Sequence, residues 1–213
     1  MAVPGHIAVE GPIGVGKTSL VRLLAERFEA RAIFEEADDN PFLDGFYRNP
    51  RKYAFQTQLF FLLNRFQQQR DLKQQDLFAQ KTICDYLFAK DRIFAYLNLD
   101  EDEIQLYEQI YRVLDPTIVK PDLVIYLTAS PHVLMRRIRK RSRKLERNIT
   151  QEYLDSLTQA YSRFFFSYDE SRLLVVNSTD IDFVVNQNDF EGLVREIETM
   201  GKGVRHYIPL GSD

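Results

Sequence analysis

The sequence has 213 residues, a length that one globular domain can span while burying a substantial core. Its 28 Lys and Arg against 31 Asp and Glu give a formal net charge of −3, so the chain as a whole does not attract nucleic acid or an anionic membrane. The single cysteine, Cys84, excludes an internal disulfide and favours a reducing, cytoplasmic location. We expect no membrane partner, because the apolar runs are too short to span a bilayer and no secretory signal is visible.

Short apolar segments alternate with longer segments of helical periodicity, which is typical of an α/β protein with a parallel sheet. We predict five strands, at about residues 5–10, 32–36, 81–85, 122–128 and 173–177. No linker, repeat or low-complexity tract divides the chain. The sequence therefore predicts one domain over residues 1–213, with a loose tail at about residues 203–213.

Capping side chains predict where several helices begin. Asn40-Pro41 and Ser130-Pro131 each place a capping residue before a proline at the first helical position. Thr150 can cap a later helix in the same way. A further, long helix is predicted at about residues 51–70, because apolar side chains recur there at helical spacing.

The apolar stripe of this long helix has two possible explanations. Its members are Phe55, Leu59, Leu62 and Phe66. The stripe could be buried in the core, or it could serve an interface with a second copy of the chain. The sequence alone favours neither.

A phosphate-binding loop is the strongest motif in the sequence. It fits the pattern G-x-x-x-x-G-K-[ST] with residues Gly11, Pro12, Ile13, Gly14, Val15, Gly16, Lys17 and Thr18, followed by Ser19. Glycines let backbone amides crowd around phosphate oxygens, and the next helix points its N-terminus at the anion. We therefore expect these residues to bind ATP, with Lys17 on the β- and γ-phosphates and the Thr18 hydroxyl on Mg²⁺.

Acidic residues follow two other predicted strands, at the edge of the sheet where ligands of parallel sheets bind. Glu35 and Glu36 follow the second strand, and Asp85 follows the third. A carboxylate here could accept a hydroxyl proton or hold Mg²⁺, or it could simply be solvated. Adjacent strand residues point to opposite faces, so Glu35 and Glu36 cannot both face the phosphate, and periodicity does not choose between them.

Gln58 and Arg65 lie two helical turns apart on the long helix, so they share one side of it. Their neighbours are apolar. This pair could read the hydrogen-bonding edge of a base while Phe55 or Phe94 stacks on its face, or it could reach solvent at the edge of the apolar stripe.

Basic residues are concentrated at about residues 136–147. This segment could be a solvated helix face, a nucleic-acid patch, or a lid that closes over ATP. The net acidic chain argues against nucleic acid, so we favour the lid. Arg137 and Arg141 share a helix face, and Arg143 lies just beyond them, where all three could neutralise a transferring phosphoryl group.

These residues together resemble the deoxynucleoside kinase family, and most closely its bacterial deoxyguanosine and deoxyadenosine kinase branch. The resemblance spans about residues 6–200. It implies a three-layer P-loop fold with strand order 2-3-1-4-5, a deoxynucleoside substrate and a homodimer. It also implies that Glu35 is the general base on the substrate 5′-hydroxyl.

The resemblance assigns further residues to the substrate. Gln58, Arg65 and Asp91 match positions that recognise the base, and Phe94 lies about where an aromatic ring stacks on it. Tyr47 and Glu146 match positions that hold the sugar 3′-hydroxyl, and a lid at about residues 136–150 carries Arg137, Arg141 and Arg143.

The chain departs from the family pattern after the third strand. Many relatives carry Glu-Arg-Ser there, whereas this chain has Asp85, Tyr86 and Leu87. Asp85 keeps the acid of this motif, and we expect it to bind Mg²⁺ or the substrate. The arginine of the motif is lost. This loss leaves open what orients Glu35.

We therefore predict ATP-dependent phosphorylation of a purine deoxynucleoside, with ATP and Mg²⁺ as cofactors. A nucleoside monophosphate kinase is the first alternative, although Glu35 would repel a second phosphate. A regulatory P-loop protein without turnover is the second alternative.

Overall fold

The computed structural model describes residues 3–35, 39–75, 81–142, 146 and 149–209. Within these residues, six strands form one parallel sheet: β1 (His6–Glu10), β2 (Arg31–Ile33), β3 (Thr82–Cys84), β4 (Leu123–Thr128), β5 (Arg172–Asn177) and β6 (Val204–Tyr207). Their spatial order is β2-β3-β1-β4-β5-β6, and each neighbouring pair is parallel. The predicted α/β class and the order 2-3-1-4-5 are confirmed.

The sheet has one strand more than the five that the sequence predicted. β6 pairs with β5, with Leu173 opposite Val204, and it lies inside the segment 203–213 that was expected to be loose. That expectation was wrong for residues 204–207. The strand was missed because it has four residues on an edge of the sheet, and its alternating exposure leaves too little apolar periodicity to recognise.

Helices cover the sheet. In the described part of the chain they are α1 (Lys17–Arg27), α2 (Leu43–Arg48), α3 (Pro50–Gln75), α4 (Asp91–Asn98), α5 (Glu101–Leu114), α6 (Pro131–Arg141), α7 (Gln151–Phe166) and α8 (Gln187–Glu198). Ser130 and Thr150 accept hydrogen bonds from the backbone N–H groups of Val133 and Tyr153, which confirms two of the predicted helix starts.

The predicted start at Asn40-Pro41 was wrong. α2 begins at Leu43, after Phe42. The Asn40 side chain instead accepts a hydrogen bond from the Phe42 N–H at 3.0 Å and donates to the Thr57 carbonyl of α3 at 3.1 Å. Asn40 thus stabilises a turn and links it to α3, because an asparagine can bond the backbone two residues ahead in a turn as readily as at a cap.

The apolar stripe of α3 is part of the core. Leu62 is fully buried, and Phe55 and Phe66 pack against the same cluster, which includes Tyr107 and Tyr111 of α5. Burial therefore explains Leu62 and much of the surface of Phe55 and Phe66, whereas Leu59 is half-buried. Among the described residues, no helix is both long enough and apolar enough to cross a membrane.

Candidate active site

The main cleft of the molecule lies at the carboxyl ends of β1, β2 and β3. It encloses about 600 Å³ and runs from the loop after β1 to the side of α3. Glu35 follows β2 by two residues and Asp85 follows β3 directly, so parallel strands bring both acids to this edge. Glu36 lies outside the described residues.

The loop between β1 and α1 has the backbone of a phosphate-binding loop. Gly11, Gly14 and Gly16 have φ values of 151°, 84° and 108°, which side chains rarely adopt. A Cβ atom on Gly11 would also clash with the Leu127 carbonyl oxygen of β4. The side chains of Ile13, Val15 and Ser19 contribute to the cleft wall.

Lys17 points back over this loop. Its Nζ donates to the carbonyl oxygens of Gly11 at 2.6 Å and Pro12 at 3.3 Å. Burial lowers the pKa of Lys17, and the nearby Glu10 opposes that shift. A phosphate in the loop would offer the ammonium a charged partner in place of two carbonyls, which favours anion binding here.

Thr18 and Asp85 form a pair of oxygen ligands beside the loop. The Thr18 hydroxyl donates to Asp85 Oδ2 at 2.9 Å, and Asp85 Oδ1 accepts from the Glu35 N–H at 2.6 Å. Burial raises the pKa of Asp85, so a nearby cation would stabilise its charged form. A hydroxyl and a carboxylate are ligands that Mg²⁺ prefers.

This pair alone is too small a ligand set to hold a metal ion. Within the described ranges there is no group of three or more His, Cys, Asp and Glu side chains that could do so. The residues thus fit a Mg²⁺ ion that also takes phosphate oxygens as ligands.

Glu35 is held by two cations. Its Oε1 accepts from both Nε and a terminal nitrogen of Arg65, and its Oε2 accepts from Lys90 Nζ at 3.0 Å. Burial alone would raise the pKa of Glu35, but Arg65 and Lys90 outweigh it and hold that pKa well below its usual value. The carboxylate is therefore ionised at neutral pH.

Gln58 and Arg65 form the far end of the cleft. Both are almost fully buried, and Gln58 Oε1 has no hydrogen-bond partner in the described part of the chain. Arg65 pairs with Asp91 as well as with Glu35, and Asp91 accepts from the Tyr107 hydroxyl at 2.8 Å. A buried amide without a partner is costly, so Gln58 is poised for a polar ligand.

Of the two aromatic candidates for base stacking, Phe94 lines the cleft and Phe55 packs into the core. Phe94 meets Tyr161 edge-on, with ring centroids 6.1 Å apart. Phe61 also lines the cleft, and the Arg65 guanidinium lies 5.0 Å from its ring centroid. A flat ligand would thus meet aromatic surface in the cleft.

The lid arginines occupy different environments. Arg137 donates to the carbonyl oxygens of Ser178 at 2.8 Å, Ile181 at 3.2 Å and Val15 at 3.4 Å. It therefore ties the phosphate loop to the segment after β5. Arg136 and Arg139, on the other face of α6, are exposed.

Arg141 contacts the other half of the predicted lid. It forms an ion pair with Glu146, and both residues line the cleft. Tyr47 also lines it, and burial raises the pKa of its hydroxyl above the usual value, with Glu146 adding to that shift. Arg143 lies outside the described residues.

Comparison with known proteins decides the family. The deoxynucleoside kinase family model matches residues 7–201. The chain belongs to the deoxynucleoside kinase family. It is 37% identical to the deoxyguanosine kinase of Bacillus subtilis over 199 residues, covering 91% of this chain and 96% of the relative. It is 35% identical to the deoxyadenosine kinase of Dictyostelium discoideum over 201 residues, covering 92% and 80%.

A solved structure confirms the fold. The deoxyadenosine kinase of M. mycoides with bound dCTP superimposes with a TM-score of 0.78 at 24% identity, covering 91% of this chain and 99% of that one. The resemblance to the deoxyguanosine and deoxyadenosine kinase branch is thus confirmed, and the protein is a deoxynucleoside kinase.

Two buried charges of this kinase site were missed in the sequence. Glu10 ends β1 and accepts hydrogen bonds from Gly11 N, Leu87 N and the Tyr161 hydroxyl, each at 2.8 to 2.9 Å. Lys90 is the second. Each is a charged residue directly after an apolar run in the sequence. This position is the one sequence feature that could have predicted that they are buried.

Replacing Gly11 by alanine should disable the phosphate loop. We expect Gly11→Ala to abolish the rise in unfolding temperature that ATP gives the parent protein, because the added Cβ atom displaces the loop. It should also lower the free energy of unfolding by about 1–3 kcal/mol through backbone strain. Differential scanning fluorimetry with and without ATP measures the first effect, and denaturant titration measures the second.

Gly201→Ala is the matched control, since a Cβ atom there meets no neighbour within 4 Å. It should keep the full ATP shift. A Gly11→Ala protein that ATP still stabilises as strongly as the parent would contradict the assignment of this loop.

Proposed function

We propose that this kinase transfers the γ-phosphoryl group of ATP to the 5′-hydroxyl of a purine deoxynucleoside, with Glu35 as the general base. The observation that carries the proposal is the position of Glu35. Its carboxylate lies in the cleft between the phosphate loop and the buried Gln58–Arg65 end. An acceptor hydroxyl placed there would face the terminal phosphate of ATP.

The chemistry needs one proton acceptor and several positive charges. The 5′ oxygen forms a bond to the γ-phosphorus as the bond from that phosphorus to the β–γ bridging oxygen breaks. ADP leaves with that electron pair, and the hydroxyl proton passes to Glu35. Lys17 and the lid arginines Arg137, Arg141 and Arg143 supply charge opposite the transferring group.

Mg²⁺ belongs to this proposal. Thr18 and Asp85 would hold it together with phosphate oxygens, and their 2.9 Å hydrogen bond supports that pairing. The ion would neutralise phosphate charge. Asp85 would then be ionised, in keeping with its contacts to Thr18 and to the Glu35 N–H.

The purine preference rests on the relatives and on the far end of the cleft. The relatives described above are named deoxyguanosine kinase and deoxyadenosine kinase. Gln58 can donate to and accept from either purine, because its amide carries both kinds of group. Arg65 and Asp91 would complete the contact, Phe94 would stack on the base, and Tyr47 and Glu146 would hold the sugar 3′-hydroxyl.

A cytoplasmic homodimer completes the proposal. Since Leu62, Phe55 and Phe66 of the α3 stripe pack against the core, another surface is favoured for a second copy. A groove of about 470 Å³ between α4 and α7 offers apolar side chains, including Tyr96, Leu97 and Phe164.

Sedimentation equilibrium should therefore give twice the chain mass in the parent and a smaller mass in Phe164→Asp. A parent that sediments as a monomer would contradict the dimer.

Glu35→Gln tests the general base. We expect turnover to fall by roughly 10²- to 10⁴-fold, the usual cost of losing such a group, while nucleoside binding stays intact. Coupled assays of ADP release give turnover, and calorimetry gives nucleoside affinity. Glu26→Gln, on an exposed face of α1, is the control and should behave as the parent. A Glu35→Gln enzyme within a fewfold of the parent would refute the assignment.

Gln58→Ala tests the base-recognition end. Because the amide is buried in the cleft wall, its removal should raise the KM for deoxyadenosine or deoxyguanosine by about 10- to 100-fold and change kcat less. Gln56→Ala, two residues earlier on the exposed side of α3, should leave KM unchanged. The assay should include the four deoxynucleosides and their monophosphates. A preference for a monophosphate as acceptor would favour a nucleoside monophosphate kinase instead.

A further inference from the structure

The residues that follow β3 contact the cleft at successive points. Asp85 accepts from Thr18, and the Leu87 N–H donates to Glu10 at 2.8 Å, which fixes this segment against β1. One 3₁₀ turn, Phe88–Lys90, then brings the chain back to the cleft. Lys90 ends that turn with its side chain inside the site.

Lys90 is a buried cation between two acids. It is 2% exposed and lines the cleft. Its Nζ donates to Glu35 Oε2 at 3.0 Å and lies 3.7 Å from Glu10 Oε2. Burying an ammonium costs free energy unless an acid pairs with it. The question is therefore which of these two acids is the partner of Lys90.

Glu10 has less need of this lysine. Its two oxygens already accept three hydrogen bonds, from Gly11 N, Leu87 N and the Tyr161 hydroxyl. The separation from Lys90 is also beyond hydrogen-bonding distance. The direct partner of Lys90 is therefore Glu35.

Arg65, the other cation on Glu35, is shared with a second task. It also pairs with Asp91 and lies at the end of the cleft assigned to the base. A base that binds Arg65 would compete for its donors. Within the described part of the chain, Lys90 forms ion pairs with Glu35 and Glu10 and not with Asp91, so a base bound at Arg65 and Asp91 would leave its contact with Glu35 in place.

We propose that Lys90 is the positioning residue of Glu35: its ammonium fixes Oε2 so that the free lone pair of this oxygen faces the acceptor hydroxyl. Oε2 keeps room for that hydroxyl, because a carboxylate oxygen accepts two hydrogen bonds. This inference rests on the proposed role of Glu35. Tyr86 stands after β3 where many relatives have an arginine. Lys90 would supply the positive charge that Tyr86 lacks.

Lys90→Met tests the inference, because it keeps the length of the side chain and removes its charge. We expect kcat to fall by roughly 10²-fold through misplacement of Glu35, with little change in the KM for the nucleoside. Lys90→Arg keeps a cation and should lose less activity than Lys90→Met. Lys120→Met is the matched control, since Lys120 also bridges two acids, Asp115 and Glu170, but on the surface.

A double-mutant cycle separates positioning from a structural role. If Lys90 acts through Glu35, Lys90→Met should cause little further loss of kcat in a Glu35→Gln enzyme. Independent, multiplying losses would overturn the inference, and so would a Lys90→Met enzyme with the parent's kcat. If thermal unfolding shows that neither Lys90→Met nor Lys90→Arg is folded, Lys90 is a structural counter-ion and the inference fails.

Failure of the general base would look different. In that case Glu35→Gln alone would turn over like the parent, whatever Lys90→Met does. The cycle therefore distinguishes a wrong assignment of Lys90 from a wrong assignment of Glu35.

Discussion

A chain of buried ion pairs along the cleft is the constraint on which the site depends. Lys90 and Arg65 bracket Glu35, and Arg65 continues to Asp91. Charges as buried as these are tolerated only when each has a close, well-oriented partner. Removing one member would weaken the pairing of its neighbours, and the ion pairs link the segments after β2 and β3 to α3 while they position the carboxylate.

An acid held by two cations is a weak base, which at first argues against a role for Glu35 in catalysis. Phosphoryl transfer needs little base strength, however, because its transition state is loose and the attacking hydroxyl keeps its proton until late. What such a reaction requires is an ionised acceptor in a fixed place. The low pKa of Glu35 secures the ionised form, and its contacts secure the place.

The sequence predicted the local features of this site and missed the long-range ones. The phosphate loop, the strand-end acid Asp85 and the helix caps depend on residues that are adjacent or nearly so, and their patterns are readable in one dimension. The hydrogen bond between Lys90 and Glu35 joins residues that are 55 apart in the chain. No spacing in the sequence predicts such a contact. The edge strand β6 was missed for a different reason, since its four residues carry too little apolar periodicity to recognise.

Arg65 connects the two ends of the cleft in a way that the separate motifs do not suggest. The same guanidinium contacts Glu35, the proposed general base, and Asp91, which we propose to recognise the nucleobase. A nucleobase that takes hydrogen bonds from Arg65 would share this guanidinium with Glu35 and Asp91. Such sharing would weaken the hydrogen bonds that Arg65 gives to the carboxylate, which would raise the pKa of Glu35 and make it a better proton acceptor. In the proposed mechanism, recognition and chemistry would be coupled through this one side chain, and Lys90 would keep the carboxylate in position while the base binds.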